Sequence, residues 1–209
     1  MYIPEQFTET NLPTLHEFMR QHSFATVVTQ QGSRPYSSHL PLILDNSVGS
    51  QGTLIGHMAR NNPQWQDFAS GAEILVMFHG PHAYVSPAWY EAKNMVVPTW
   101  NYMAVHAYGI ARIQSEEILE RTLHRLVGVH EKAFQQPWVL EITQPMRERM
   151  LSAIVGFEIT LTSVEGKFKL SQNRPLTDQR KVIAKLSEST GINNSKSIAN
   201  QMSLRLKEE

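Results

Sequence analysis

Cysteine is absent from the 209-residue chain. That excludes a disulfide framework, a thiol nucleophile and the cysteine-based zinc patterns. No long apolar run occurs either. The longest, Ile74–Phe78, is strand-sized and far short of the about 20 residues that span a bilayer, so no membrane association is expected. The opening residues, MYIPEQFTET, lack a basic region followed by an apolar core. No secretory signal is therefore expected, and the cytoplasm is the default compartment. Net charge is zero, with 19 basic and 19 acidic side chains. The patterns G-x-G-x-x-G, G-x-x-x-x-G-K-[ST] and G-x-S-x-G do not occur, which removes the common nucleotide-loop and hydrolase signatures. The histidines lack metal-ligand spacing: Gly80-Pro81 separates His79 from His82, and His57 and His106 have no carboxylate at a motif distance. No metal site is expected.

What is present describes a globular protein. Hydrophobic residues make up 41% and charged residues 18%, enough apolar surface for a core. Charge is unevenly spread: residues 1–165 carry a balance of −5 and residues 166–209 a balance of +5. A basic tail is read first as a solvated helical face, and second as a contact for nucleic acid. The composition change divides the chain into a main domain, 1–174, and a helical C-terminal arm, 175–209.

Local patterns place the elements. Asn11 caps a helix over about Leu12–Gln21 with Leu15, Phe18 and Met19 as its apolar stripe. Phe24–Thr29 and Arg34–Asp45 read as a hairpin about Gln31-Gly32-Ser33, with Pro41 marking a sheet edge or bulge. Thr53–Ile55 is a strand, and Gln64–Ala69 a short helix. Glu73–His79 and His82–Ser86 read as two strands around a Gly80-Pro81 turn. Val96–Gln114 is a long strand-like segment. Ser115 caps a helix whose inner face holds Leu119, Leu123, Leu126, Val127 and His130. A short helix covers Pro145–Ile154, and a strand Val155–Val164, with Glu165-Gly166 as a turn. Pro175 and Ser195 each open a helical segment. Short connections between successive strands favour an antiparallel sheet, closed or partly closed into a barrel with helices at its ends. A doubly wound parallel sheet would need crossover helices.

Three polar clusters follow strands. In TLIGHMARNNPQW, Thr53–Trp65, Gly56 permits close backbone approach. His57, Arg60, Asn61 and Asn62 then crowd a turn, and Pro63 opens a helix with Asn61 or Asn62 as its N-cap. An arginine fork beside a helix N-terminus suits a phosphate; the plainer reading is a solvated connection. Trp89, Tyr90, Trp100 and Tyr102 interleave with Ser86, Asn94, Thr99 and Asn101, a combination that suits a planar heterocycle or simply a core. Lys167 to Asn173 (KFKLSQN) adds two lysines and an amide pair.

Taken together, HLPL (39–42), GHMARNNPQW (56–65), GPHAYVSPAWY (80–90), VPTWNYMAVHAYG (97–109), IVGFEI (154–159) and GKFKLSQN (166–173) resemble the PaiB-type FMN-binding negative transcriptional regulators. The resemblance covers nearly the whole chain in order. It implies an α+β protein, mainly β: an FMN-binding split antiparallel β-barrel of the pyridoxamine-phosphate-oxidase kind, with flanking helices. It also implies a homodimer with flavin at the subunit interface, and repression of protease and sporulation genes. On this reading FMN's phosphate meets His57, Arg60 and Asn61, beside Met58, Ala59 and Gln64. The isoalloxazine lies on the backbone of His39, Leu40 and Pro41 and near Thr99, Trp100 and Asn101. Lys167, Lys169, Ser171 and Gln172 complete the cofactor-binding set. The alternatives are a flavin-dependent oxidoreductase or flavin reductase acting on a small substrate and, more distantly, a haem-handling protein. No catalytic acid, base or nucleophile stands out, as expected where the cofactor carries the chemistry.

Overall fold

A computed structural model describes residues 1–92, 96–189 and 194–208, so Asn94 lies outside the described residues. After a 3-10 turn at Glu5–Phe7 come β1 (Thr8–Glu9), α1 (Leu12–Gln21), β2 (Phe24–Gln31), β3 (Arg34–Pro41), β4 (Ile43–Asp45) and β5 (Thr53–Ala59). A 3-10 helix, Pro63–Ser70, leads to β6 (Glu73–Val85), a 3-10 turn at Pro87–Trp89, and β7 (Thr99–Ile113). Then follow α2 (Glu116–Glu131), α3 (Gln144–Ala153), β8 (Ile154–Lys169), α4 (Leu176–Glu188) and α5 (Ser195–Glu208). The strands hydrogen-bond in the order β3-β2-β6-β7-β8-β5-β4, with β1 added beside β8. The pairs β1–β8, β2–β3, β2–β6, β4–β5 and β5–β8 are antiparallel, and the sheet does not close on itself.

Capping and burial explain the helices. Asn11 Oδ1 accepts from the Thr14 N–H at 2.9 Å, and Leu15, Phe18 and Met19 are buried. Fully burying side chains of this size contributes about 1.5–3 kcal/mol each. In α2, Ser115 Oγ accepts from the Ile118 N–H, and Leu119, Leu123 and Leu126 are buried. His130, expected on that inner face, is exposed instead. The stripe runs through Thr122, whose hydroxyl is satisfied by Gln114 Oε1 at 3.0 Å, and ends at the half-buried Val127. The last turn of α2 faces solvent.

Two expected turns are absent because the chain stays extended through them. β6 runs uninterrupted through Gly80-Pro81. Ile74, Val76 and Phe78 are buried before the pair, and Pro81, Ala83 and Val85 after it, so the alternation slips by one residue. Glycine and proline accommodate such a slip where a regular ladder would not. Likewise β8 continues through Glu165-Gly166. There β1 lies alongside, with Glu9 opposite Gly166. A Cβ on Gly166 would stand 2.3 Å from Leu15 Cδ2 and 3.0 Å from the Glu9 carbonyl oxygen. This glycine marks close approach, not reversal. The expected single strand Arg34–Asp45 breaks at Leu42, whose N–H donates to the Ser23 carbonyl at 2.9 Å. Pro41 therefore ends β3, which is an edge strand in the sheet order, as its proline suggests.

The chain divides into two compact units. Unit 1 comprises Met1–Leu15, His79–Val105 and Glu165–Glu209; unit 2 comprises His16–Phe78 and His106–Val164. Unit 2 holds the β2–β3 hairpin, and α2 and α3 bury a cluster of Leu119, Leu123, Leu140 and Leu151. In unit 1, α4 and α5 bury Val182, Leu186, Ile198, Ala199 and Met202, and Asp178 Oδ1 accepts from the Glu91 N–H at 2.9 Å. Among the described residues, no helix is long and apolar enough to cross a membrane.

Candidate functional site

Unit 2 presents the first set of expected residues. At the end of edge strand β3, His39 Nδ1 and Thr26 Oγ1 lie 3.0 Å apart, and the imidazole stacks with the exposed Phe24 ring at 6.4 Å. Leu40 and Pro41 follow, with β2 pairing on one side only. The close approach expected at Gly56 is to the protein's own core: a Cβ there would meet Leu42 Cδ2 at 2.6 Å and Phe157 Cζ at 3.3 Å. Met58 is buried and Ala59 exposed, as a strand's alternation requires. His57 is half-buried, and its Nδ1 is buried without a hydrogen-bond partner. Burial pushes its pKa below the usual histidine value, so the ring is neutral at neutral pH.

Arg60 has a fold role that the sequence does not announce. Its Nε donates to the Ser152 carbonyl at 2.9 Å, and its Nη2 donates to Leu151 at 3.2 Å and Ile154 at 2.9 Å. Its own N–H donates to the Ala153 carbonyl at 2.8 Å. These are the orphan carbonyls at the C-terminal end of α3, where a cation also suits the helix dipole. Arg60 also lines a polar cleft of ≈ 470 Å³ that Glu116, Arg147 and Glu148 share.

The turn after Arg60 is tied to β3. Asn62 is the cap of the following 3-10 helix: its Oδ1 accepts from the Gln64 N–H at 3.1 Å, while its Nδ2 donates to Ser38 Oγ at 2.8 Å. This bond brings the β5 turn beside the residue preceding His39. Asn61 is exposed. Gln64 is wholly buried, its Nε2 donating to the Val27 and Tyr36 carbonyls at 3.0 and 3.3 Å. It braces the hairpin from within.

Unit 1 presents the second set. Trp100 is 51% exposed, with the Tyr84 ring edge-on at 5.9 Å and His82 tilted at 6.1 Å. Lys169 Nζ donates to Thr99 Oγ1 and, at 2.9 Å, to the Trp100 carbonyl. Partial burial, then the charges of Lys167 and Arg174, hold the Lys169 pKa below the usual lysine value. Lys167 donates to the Tyr2 carbonyl at 2.9 Å and sits over the Tyr2 and Tyr102 rings, each 5.4 Å away. Arg174 lies over the Tyr90 ring at 4.8 Å. Among the described residues, no carboxylate forms an ion pair with Lys167, Lys169 or Arg174. An exposed indole beside Lys169, itself within electrostatic reach of Lys167 and Arg174, is suited to a planar anion.

The rest of this set faces inward. Asn101 is fully buried: its Nδ2 donates to Ser171 Oγ at 2.9 Å and lies 3.4 Å from Met202 Sδ, fastening α5. Ser171 takes a positive φ of 67° at the end of the strand. Gln172 accepts from the Leu170 N–H at 2.6 Å and donates to the Phe168 carbonyl, closing the same corner. Sequence reasoning passed over His82 and Tyr84, which flank Trp100. Their alternation with buried Ala83 and Val85 is the signal that puts them on the open face.

The open antiparallel sheet and these two surfaces define a split-barrel flavin-binding protein. In unit 2 the edge strand β3 and the exposed Arg60 are open to solvent, and in unit 1 Trp100 presents an exposed flat face beside Lys169.

The chain belongs to the family described as "Putative FMN-binding domain", whose model matches residues 1–163, and its cofactor is FMN. It is 40% identical over 210 residues to "Protease synthase and sporulation protein PAI 2" of Bacillus subtilis, with all of both chains covered. An uncharacterized protein of Emericella nidulans is 34% identical, covering 96% of this chain and 95% of that one. Two solved structures share the fold. One is the flavocytochrome Anf3 from Azotobacter vinelandii, with a TM-score of 0.59 at 10% identity, covering 78% of this chain and 69% of that one. The other is the FAD and heme binding protein from Mycobacterium smegmatis, with a TM-score of 0.57 at 14% identity, covering 78% and 73%.

Proposed function

We propose that this chain is a cytoplasmic, homodimeric transcriptional regulator whose FMN sites lie at the subunit interface. The observation that carries the reading is the division of the cofactor's needs between two surfaces. His57, Arg60 and the β3 edge belong to unit 2, and Trp100 with Lys169 to unit 1. A two-fold axis would set the unit 2 surface of one protomer against the unit 1 surface of its partner, giving two equivalent sites. FMN supplies redox capacity when bound; the protein's part is to grip the phosphate and cover the ring. Full-length similarity to a Bacillus protein named for protease synthesis and sporulation supports a regulatory role. The basic helices of the arm supply candidate DNA contacts: Arg180, Lys181, Lys185, Lys196 and Lys207 are all exposed.

Complementation tests the shared site. Arg60→Ala and Lys169→Ala homodimers should each bind FMN poorly. In a mixed dimer one site collects both lesions and the other is intact, so purified heterodimer should regain wild-type affinity at half stoichiometry. A heterodimer as weak as its parents would refute sharing. A DNA-shift assay on the yellow protein at stated salt tests regulation, because phosphate contacts make affinity steeply salt-dependent. Flavin-bound protein that lacks DNA affinity and oxidises NADH would move the reading to a flavin-dependent oxidoreductase.

A further inference from the structure

A cleft of ≈ 640 Å³ opens in unit 2 where β5, α2 and α3 meet. It falls in the range of about 300–1,000 Å³ typical of small-molecule sites. Its walls are Leu123 from α2, Met146 and Met150 from α3, and Ile154, an apolar lining whose methionines can adjust to a guest's shape. Two nitrogen-bearing side chains interrupt it, His57 and Arg149. The His57 Nδ1 is buried and lacks a partner, an arrangement that is costly unless a guest supplies one. Arg149 is exposed and forms no ion pair among the described residues, unlike Arg147 two positions earlier, which pairs with Glu120 at 2.8 Å. Among the described residues, no carboxylate lines the cleft.

We propose that this cleft is a second small-molecule site, separate from the flavin's, which takes an apolar monocarboxylic acid. The acid's chain or ring lies on the leucine–methionine wall. Its carboxylate pairs with Arg149 and offers His57 Nδ1 the partner it lacks. Charge complementarity sets the class. The lining holds one unpaired cation and no acid, so it favours an anion over a cation. A single guanidinium in a largely apolar surround suits a monoanion better than a doubly charged phosphate. The proposal is independent of the regulatory reading. His57 borders the unit 2 surface offered to FMN, but this proposal gives its Nδ1 to the acid and not to FMN, so competition with FMN is the decisive control.

The test uses the FMN-loaded full chain and three probes of equal length: octanoate, 1-octanol and octylamine. Calorimetry should show octanoate binding at one per chain, at least about tenfold tighter than octylamine, as a charge-assisted hydrogen bond requires. Arg149→Gln, at an exposed position, should erase that preference without changing the flavin spectrum. Met146→Trp, which fills the wall from a partly exposed position, should remove octanoate binding while FMN stays bound. Absence of octanoate binding overturns the proposal, as does equal affinity for octylamine or an unaltered preference in Arg149→Gln. Displacement of octanoate by FMN added to flavin-free protein would assign the cleft to the flavin and overturn it as well. Arg149→Gln and the FMN competition decide the matter if Met146→Trp does not fold.

Discussion

Replacing Arg60 by alanine separates a structural role from a binding role. In the fold, its guanidinium makes three hydrogen bonds to the last carbonyls of α3, at 2.9, 3.2 and 2.9 Å. A partly buried charged hydrogen bond contributes about 1.5–3 kcal/mol, but this side chain is exposed, and a cation at an exposed helix C-terminus contributes about 0.3–1 kcal/mol. Their combined loss should lower stability by about 1–2 kcal/mol, or about 2–8 °C in Tm at this chain length. That loss should appear equally in flavin-free and riboflavin-bound protein. If Nη1 also meets the cofactor phosphate, FMN affinity should fall about ten- to a hundred-and-fifty-fold further than riboflavin affinity. The assay is a pair of flavin-fluorescence titrations beside thermal melts. Arg60→Lys should recover part of the FMN affinity through charge but little of the Tm, because an ammonium cannot reach three carbonyls with a planar fork. An unchanged Tm would refute the capping role, and equal losses for FMN and riboflavin would refute the phosphate contact.

Burial depresses the pKa of both His57 and His22, so below pH 6.5 the unfolded chain binds protons that the folded chain refuses. Stability should therefore fall as pH drops below that value, and in His57→Gln and His22→Gln variants the slope of urea-derived stability against pH should flatten. Gly166→Ala places a Cβ against Leu15 and the Glu9 carbonyl, and should cost about 1–3 kcal/mol in denaturant melts; a neutral result would mean that β1 yields easily. Neutralising Lys181, Lys185 and Lys196 together should weaken DNA binding and flatten its salt dependence, and an unaltered slope in shift assays at graded salt would place the contact off the arm.

Much of the fold was legible because local signals agreed with one another. Asn11, Ser115 and Pro175 begin helices where capping and proline chemistry put them, and Pro41 ends an edge strand. Two of the departures share one cause, which is that glycine has two uses. At Gly80 and Gly166 the local pattern reads as a reversal, whereas the chain runs straight on and the missing side chain serves a register slip or a neighbouring strand. Nothing within a dozen residues distinguishes the two, because the neighbour at Gly166 is β1, more than 150 positions earlier.

The candidate site was legible in a different sense. A run such as GHMARNNPQW or GKFKLSQN shows that each residue is under demand without showing what makes the demand. The structure separates the causes by what each side chain touches. Asn101, Ser171 and Gln172 face inward and spend their polar atoms on one another, a strand corner and Met202. Gln64 is buried with its Nε2 bonded to backbone carbonyls, while its Oε1 has no partner among the described residues. His57, Trp100 and Lys169 keep an unpartnered atom, an open face or an uncompensated charge. Arg60 does both, holding α3 with two nitrogens and lining a cleft as well. A polar residue that the fold has already satisfied gains little from a ligand, whereas an unsatisfied one gains what its desolvation cost. The flavin contacts should therefore concentrate on Trp100, Lys169 and Arg60, with His57 Nδ1 left to the guest of the second cleft. Alanine substitutions in the inward group should be felt first in the melting temperature and only afterwards in the flavin's affinity.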